Sequence, residues 1–290
     1  MKKSTHTNKQ RISAFRKIWY VLAATHFLPS IGMTLLTTGL AYFSGQRSEL
    51  YILVPAVLFG QFPVGWLNDY LDLNNDKIAK RKDKPLAMGY IQPATILRLA
   101  LVSLCASVVL GFMYNRSAGF VNIAALTSAL LYDFKLKGTV ASIYTYIVSF
   151  SLLPMFVALG SHSHSHAPTL WLIAAFAALG AGVHFLNVLP DFADDAKTGV
   201  KGFVHYFSYS SALWIGASLM LLSASMVVLR LRYMTGFLDL VVGVFMLLAF
   251  IVFAYLCVKK EYPKAFKTAN ILTLFAITAL LISAKYTLLV

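Results

Sequence analysis

Six aspartates fall into two groups of matched spacing. One is Asn68-x3-Asp72-x3-Asp76 with Asp69 added; the other is Asn187-x3-Asp191-x3-Asp195 with Asp194 added. Steps of four residues set each trio along one side of a helix, drifting slowly around it. Both groups close long apolar runs, where a carboxylate is costly unless paired, hydrated or metal-bound. In the first group the spacing predicts that Asp69, Asp72 and Asp76 converge, with Asn68 adding an oxygen or holding a metal-bound water. In the second, Asp191 and Asp195 share a face with Asp194 beside it, and Pro190 reads as the first residue of a new helical turn. Three acids packed so closely repel one another unless cations intervene. Oxygen-only ligand sets suit Mg²⁺, which often bridges protein carboxylates to substrate phosphates. The expected metal set is therefore Asn68, Asp69, Asp72, Asp76, Asp191, Asp194 and Asp195.

Basic residues follow each group: Lys80, Arg81, Lys82 and Lys84 after the first, Lys197 and Lys201 after the second. Two Mg²⁺ ions with nearby lysines can neutralise a diphosphate and stabilise it as it leaves. An isoprenoid at the substrate's other end would suit a pocket continuous with a bilayer. These features imply a membrane-bound diphosphate enzyme. They leave open prenyl transfer, phosphatase action and phospholipid headgroup transfer.

The elements that must carry these residues are membrane helices. Of 290 residues 59% are hydrophobic and 12% charged. Apolar runs at 19–43, 51–68, 95–113, 118–134, 140–160, 168–188, 206–228, 237–258 and 268–288 approach the ~20 residues that cross a hydrocarbon layer. Pro29, Pro55, Pro63 and Pro154 can kink such helices without ending them. The expectation is an all-α polytopic membrane protein with nine transmembrane helices: a basic segment over 1–18, then one membrane domain over 19–290. With the N-terminus cytoplasmic, 20 of the 25 Lys and Arg residues fall on the cytoplasmic side, as do both acid groups. The net charge of +14 also anchors basic loops to anionic lipid heads. No nucleic-acid recognition module accompanies it. Cys105 and Cys257 lie inside apolar runs and read as small hydrophobes.

These residues resemble the UbiA-type superfamily of intramembrane aromatic prenyltransferases, over nearly the whole chain. The family's NDxxDxxxD motif is matched by Asn68, Asp69, Asp72 and Asp76, and its DxxxD motif by Asp191 and Asp195, with Asp194 at an extra acidic position. Lys84-Pro85-Leu86-x2-Gly89 resembles the basic-Pro-Leu stretch, with Lys84 where arginine is common. A third region, tyrosine shortly before a basic residue, corresponds to Tyr132-Asp133-Phe134-Lys135-Leu136-Lys137. The resemblance implies helices around a central cavity open sideways to lipid, capped on the cytoplasmic side by the motif loops, in a bacterial inner membrane. It implies prenyl diphosphate held through Mg²⁺, expected as two ions, on Asp69, Asp72, Asp76, Asp191 and Asp195. Arg81, Lys84 and Lys197 would compensate phosphate, with Lys135, Lys137, Asn68 and Asn187 also placed toward diphosphate. Tyr132 would position the acceptor or steady an allylic cation. A small aromatic quinone precursor would attack that cation, and no obligate protein partner is implied.

Other features carry less. His184 and His26 are lone helical histidines of the kind that usually serve packing. His162, His164 and His166 alternate in an expected outer loop, on the wrong side for diphosphate chemistry. A CDP-alcohol phosphotransferase would show DGxxAR before Asp72, which is absent. A cation-coupled transporter also uses intramembrane acids, but six acids on one side suit no alternating pathway. Transfer to a non-aromatic lipid acceptor remains an open alternative.

Overall fold

The computed structural model describes residues 13–161, 168–193, 195, 199–230 and 237–287. The described residues form helices: α1 Ala14–Ala23, α2 Phe27–Phe43, α3 Leu50–Leu71, α4 Leu73–Ile78, α5 Pro93–Tyr114, α6 Arg116–Leu131, α7 Ser142–Gly160, α8 Leu170–Val188, α9 Tyr209–Arg230, α10 Phe237–Val258 and α11 Tyr262–Thr287. Local chemistry marks several boundaries. Pro93 opens α5, where a missing N–H costs nothing, and the Asn115 side chain accepts from Ser117 N at 2.8 Å to start α6. Pro55 and Pro63 lie inside α3 without ending it.

The expectation of nine spans is corrected by the structure. Among the described residues six helices are long and apolar enough to cross a membrane, or seven when α1 and α2 count as one bent pair. The run at 19–43 is broken: α1 and α2 meet at 66° around His26. In α10 the described apolar stretch, Gly243–Val258, is short for a span. α11 opens with Lys264, Lys267 and Asn270, which interrupt its apolar character. The chain is an integral membrane protein whose described residues hold fewer qualifying spans than its apolar runs suggest.

Neighbouring helices pack in the order α2, α3, α5, α6, α7, α8, α9, α11, and α11 returns to α2, closing a ring. Leu40, Ala41, Leu53, Ala56, Phe176, Leu179 and Leu213 are fully buried in its core. Leu101, Val102, Phe120, Tyr144, Leu248 and Ile251 point outward and exposed, a distribution that lipid tails rather than water would cover.

One glycine fixes how the bent first pair meets the ring. A Cβ at Gly65 would stand 2.3 Å from the carbonyl oxygen of Thr25. Only a residue without a side chain lets the α1–α2 corner lie against α3, one turn before Asp69.

Candidate active site

α3 ends one residue after Tyr70, and Asp72 sits at the joint with α4, still in helical geometry. The Asp76 N–H donates to the Asp72 carbonyl at 2.9 Å, so the helical course runs through the first acid group despite the joint. The second group departs further from continuous helix. α8 stops at Val188, and Leu189–Asp191 form a tighter 3₁₀ turn opened by Leu189 and Pro190.

Asp69 is 1% exposed. Its Oδ1 accepts from Lys84 Nζ at 2.6 Å and lies 3.0 Å from His26 Nε2, while Lys84 Nζ and His26 Nε2 are 2.9 Å apart. His26 reaches this position from a left-handed backbone conformation, φ 53°, at the break between α1 and α2. Asp69 Oδ2 is buried and has no hydrogen-bond partner among the described residues.

A short π-helix, Tyr132–Leu136, follows α6 and stands beside the end of α3. Two bonds join them as parallel rungs: Asn68 Nδ2 donates to Asp133 Oδ1 at 3.1 Å, and Lys137 Nζ donates to Asp72 Oδ2 at 2.7 Å. Each rung links residues 65 apart, because both partners step by four along their own segment. π-turns recur at functional sites.

Arg81 joins the two acid groups. Its Nη1 donates to Asp191 Oδ1 at 3.4 Å while Nε and Nη2 grip Asp83. Asp195 lies 3.5 Å from His205 Nε2, and the Lys137 charge acts on both Asp72 and Asp195. Burial holds the Asp76 and Asp195 carboxyls above their ordinary range, against the opposing pull of Lys84 and Lys137 respectively. Burial also works to lower the Lys137 ammonium, but Asp72, Asp195 and Asp133 together hold it above its usual value. The Asp83 pair raises Arg81 and lowers Asp83.

Behind this charged end lies an aromatic group. Tyr132 meets Tyr146 edge-on at 5.2 Å and His184 at 5.8 Å, and Tyr146 lies 4.6 Å from His184. His184 is 1% exposed with Nε2 3.1 Å from Ser142 Oγ. Asn187 Nδ2 donates to the Tyr146 hydroxyl at 3.0 Å. Asn187 and Pro190 also line a cleft of about 180 Å³, facing Phe266, Asn270 and Thr273 of α11.

Of the residues expected from sequence, the structure gathers Asn68, Asp69, Asp72, Asp76, Arg81, Lys84, Lys137, Asp191 and Asp195 at one end of the ring, with Tyr132 and Asn187 next to them. Lys135 is exposed and joins neither acid group among the described residues. Asp194 and Lys197 lie outside the described residues, as do His162, His164 and His166. Two participants escaped the sequence reading. His26 is a lone polar residue in an apolar run, and its role depends on a chain break that no spacing announces. Asp133 stands between Tyr132 and Lys135, where its own acid character was the available signal.

The donor set fits Mg²⁺ in kind: carboxylate and carboxamide oxygens, one of them, Asp69 Oδ2, buried and unbonded. Among the described residues no three acids, histidines or cysteines are close enough to enclose an ion by themselves. Ions held here would draw further ligands from substrate phosphate and water, as Mg²⁺ usually does.

The described residues thus form an all-α ring of membrane helices with paired acid groups and interleaved cations at one end. The UbiA prenyltransferase family model matches residues 18–283, and the chain belongs to that family. A digeranylgeranylglyceryl phosphate synthase structure is similar at 18% identity and TM-score 0.67, covering 93% of this chain and 99% of that one. A UbiA homolog from Archaeoglobus fulgidus bound to GPP and Mg²⁺ is similar at 14% identity and TM-score 0.63, covering 91% and 99%. At these identities the likeness shows the fold. In sequence the chain is 29% identical over 175 residues to a 4-hydroxybenzoate octaprenyltransferase from Ectopseudomonas mendocina. That match spans 59% of this chain and 58% of that protein.

Proposed function

We propose that this chain transfers a prenyl group from a prenyl diphosphate to a small acceptor, releasing diphosphate in a Mg²⁺-dependent reaction. The observation that carries this reading is the reach of Arg81 from the first acid group to Asp191 of the second. With it, acids 119 residues apart in the chain and the cations Arg81, Lys84 and Lys137 share one end of a lipid-embedded ring. Family membership and the relative bound to GPP and Mg²⁺ point the same way.

Bound Mg²⁺ would offset diphosphate charge as a Lewis acid, held by Asp69, Asp72, Asp76, Asp191 and Asp195 with Asn68 beside them. Arg81, Lys84 and Lys137 bind phosphate oxygens, and Arg81 offers a planar fork that suits them. Lys84 and Lys137, which now neutralise Asp69 and Asp72, supply positive charge without a large rearrangement. Charge fixed in advance favours the bond-breaking step because no solvent must reorganise. Tyr132 and Tyr146 offer aromatic faces to an allylic cation, and the surrounding apolar helices limit its capture by water. Asn187 belongs to the second half of the same diphosphate site, and the sequence pattern assigns Asp194 and Lys197 to the same group. The acceptor is a small aromatic quinone precursor, a choice supported by the similarity to a 4-hydroxybenzoate octaprenyltransferase. The site faces the cytoplasm of a bacterial inner membrane, following the distribution of basic residues.

The test is incubation of purified protein with Mg²⁺, prenyl diphosphates of increasing length, and aromatic and glyceryl phosphate acceptors, read by mass spectrometry of the lipids. Asp72→Ala and Asp191→Ala should each abolish product while leaving folded protein. Full turnover in both variants overturns the two-group site.

A further inference from the structure

We propose that Asp133 is a positioning residue for the metal site: it turns the Asn68 carboxamide so that the carbonyl oxygen, and not the NH₂ group, is offered to Mg²⁺. The inference rests on the prenyl-transfer reading above, which sets Mg²⁺ at the first acid group. It adds a residue that belongs to neither acid group.

The two rungs between α3 and the π-turn share a geometry and differ in charge. Lys137 meets the carboxylate of Asp72, so that rung balances charge. Asp133 meets a neutral carboxamide at 3.1 Å and balances nothing on α3. Its second oxygen, Oδ2, is buried and has no hydrogen-bond partner among the described residues. A carboxylate placed in this way is costly, and a carboxamide or hydroxyl could bridge to Asn68 at lower cost. What the carboxylate adds is direction. It only accepts, whereas amides and hydroxyls both donate and accept.

A partner that only accepts fixes the polarity of Asn68. The Nδ2 group must face Asp133, and the carbonyl oxygen is turned away from it. Among the described residues no donor reaches Asn68 Oδ1 or, one residue on, Asp69 Oδ2. Two hard oxygens on consecutive residues of α3 are thus presented together, as Mg²⁺ requires. The reversed amide would aim its hydrogens at the cation and its oxygen at a carboxylate, unfavourable on both sides.

The ionised form of Asp133 is opposed by burial and favoured by the Asn68 N–H and by the Lys137 ammonium, four residues along the same turn. Protonated, Asp133 would donate to the amide and reverse it, so the two forms make opposite demands on Asn68.

The experiment is Mn²⁺ binding to the full chain in phosphatidylcholine nanodiscs at about pH 8, read by electron paramagnetic resonance. A non-hydrolysable geranyl thiolodiphosphate is present, and empty nanodiscs with the same analogue give the blank. Asp133→Asn should weaken Mn²⁺ about tenfold, the low end of the loss when a ligand's outer partner is removed, because two facing amides have no fixed direction. In an Asn68→Ala background the same substitution should cost about twofold or less, since the residue it acts through is gone. Mn²⁺ affinity unchanged by Asp133→Asn overturns the assignment, and with a lowered melting temperature it makes the rung a folding contact only. An equal cost in both backgrounds also overturns it, because Asp133 would then act on the ion by its own charge. These titrations need no turnover. The expected pair of losses without any prenylated lipid would sink prenyl transfer and keep the role of Asp133, whereas prenylation with an equal cost in both backgrounds would do the reverse.

Discussion

Asp69 is a carboxylate almost wholly removed from solvent and answered by Lys84 and His26 on the same oxygen. Removing one partner of a buried pair typically costs ~3–5 kcal/mol. Since His26 remains, Lys84→Met should cost about 3 kcal/mol, seen as a lower melting temperature in detergent, with Lys84→Arg recovering most of it. A Lys84→Met protein that melts with the wild type would show that Lys84 does not hold Asp69. Asp76 makes the opposite demand. Burial raises its carboxyl above the unfolded value, so its contribution favours the fold below about pH 4 and is lost as pH rises through the folded value. Asp76→Asn should therefore raise the melting temperature at pH 7 in EDTA, with a gain that shrinks toward pH 4. Melting curves across that range test the sign. The sequence exposed these acids because their spacing repeats. It gave no comparable signal for His26 or Asp133, whose partners lie 43 and 65 residues away.

Among the elements, the corner between α1 and α2 and the π-turn after α6 do most to place side chains. Gly65→Ala would push a methyl group into the Thr25 carbonyl. Overpacking of this kind costs ~1–3 kcal/mol, and here it also displaces His26 from Asp69. Prenyl transfer should fall further than the melting temperature alone would explain, which paired activity and unfolding measurements would reveal. Equal melting and equal activity would mean the corner yields freely. Neither element is legible in the sequence. The run at 19–43 is apolar on both sides of its break, and five residues of π-geometry leave no periodicity to read. The consequence is visible at Lys135 and Lys137: spacing alone gave both the same standing, and the turn's geometry brings only Lys137 to Asp72. Pro190, in contrast, marked a new turn to within one residue of its start at Leu189, because a proline's fixed φ and missing N–H act locally.

For the whole molecule, the all-α class was readable from apolar runs, but the number of qualifying spans was not. Run length does not register a 66° bend or lysines at the head of α11. Sidedness is testable directly. Single cysteines replacing Lys82 and Lys201 should label with an impermeant maleimide from the cytoplasmic face, and one replacing Arg47 from the other; labelling of all three from one face would contradict the proposed orientation. Order of synthesis gives the Lys84–Asp69 pair a further meaning. Its members are 15 residues apart, whereas Arg81 and Asp191 are 110 apart. As the chain threads into the bilayer, the deepest acid of the first group acquires its counter-charge almost at once, from the loop that emerges directly behind it. The first half can therefore settle in lipid without an uncompensated charge, and the contact that unites the two acid groups forms only after α8 has arrived.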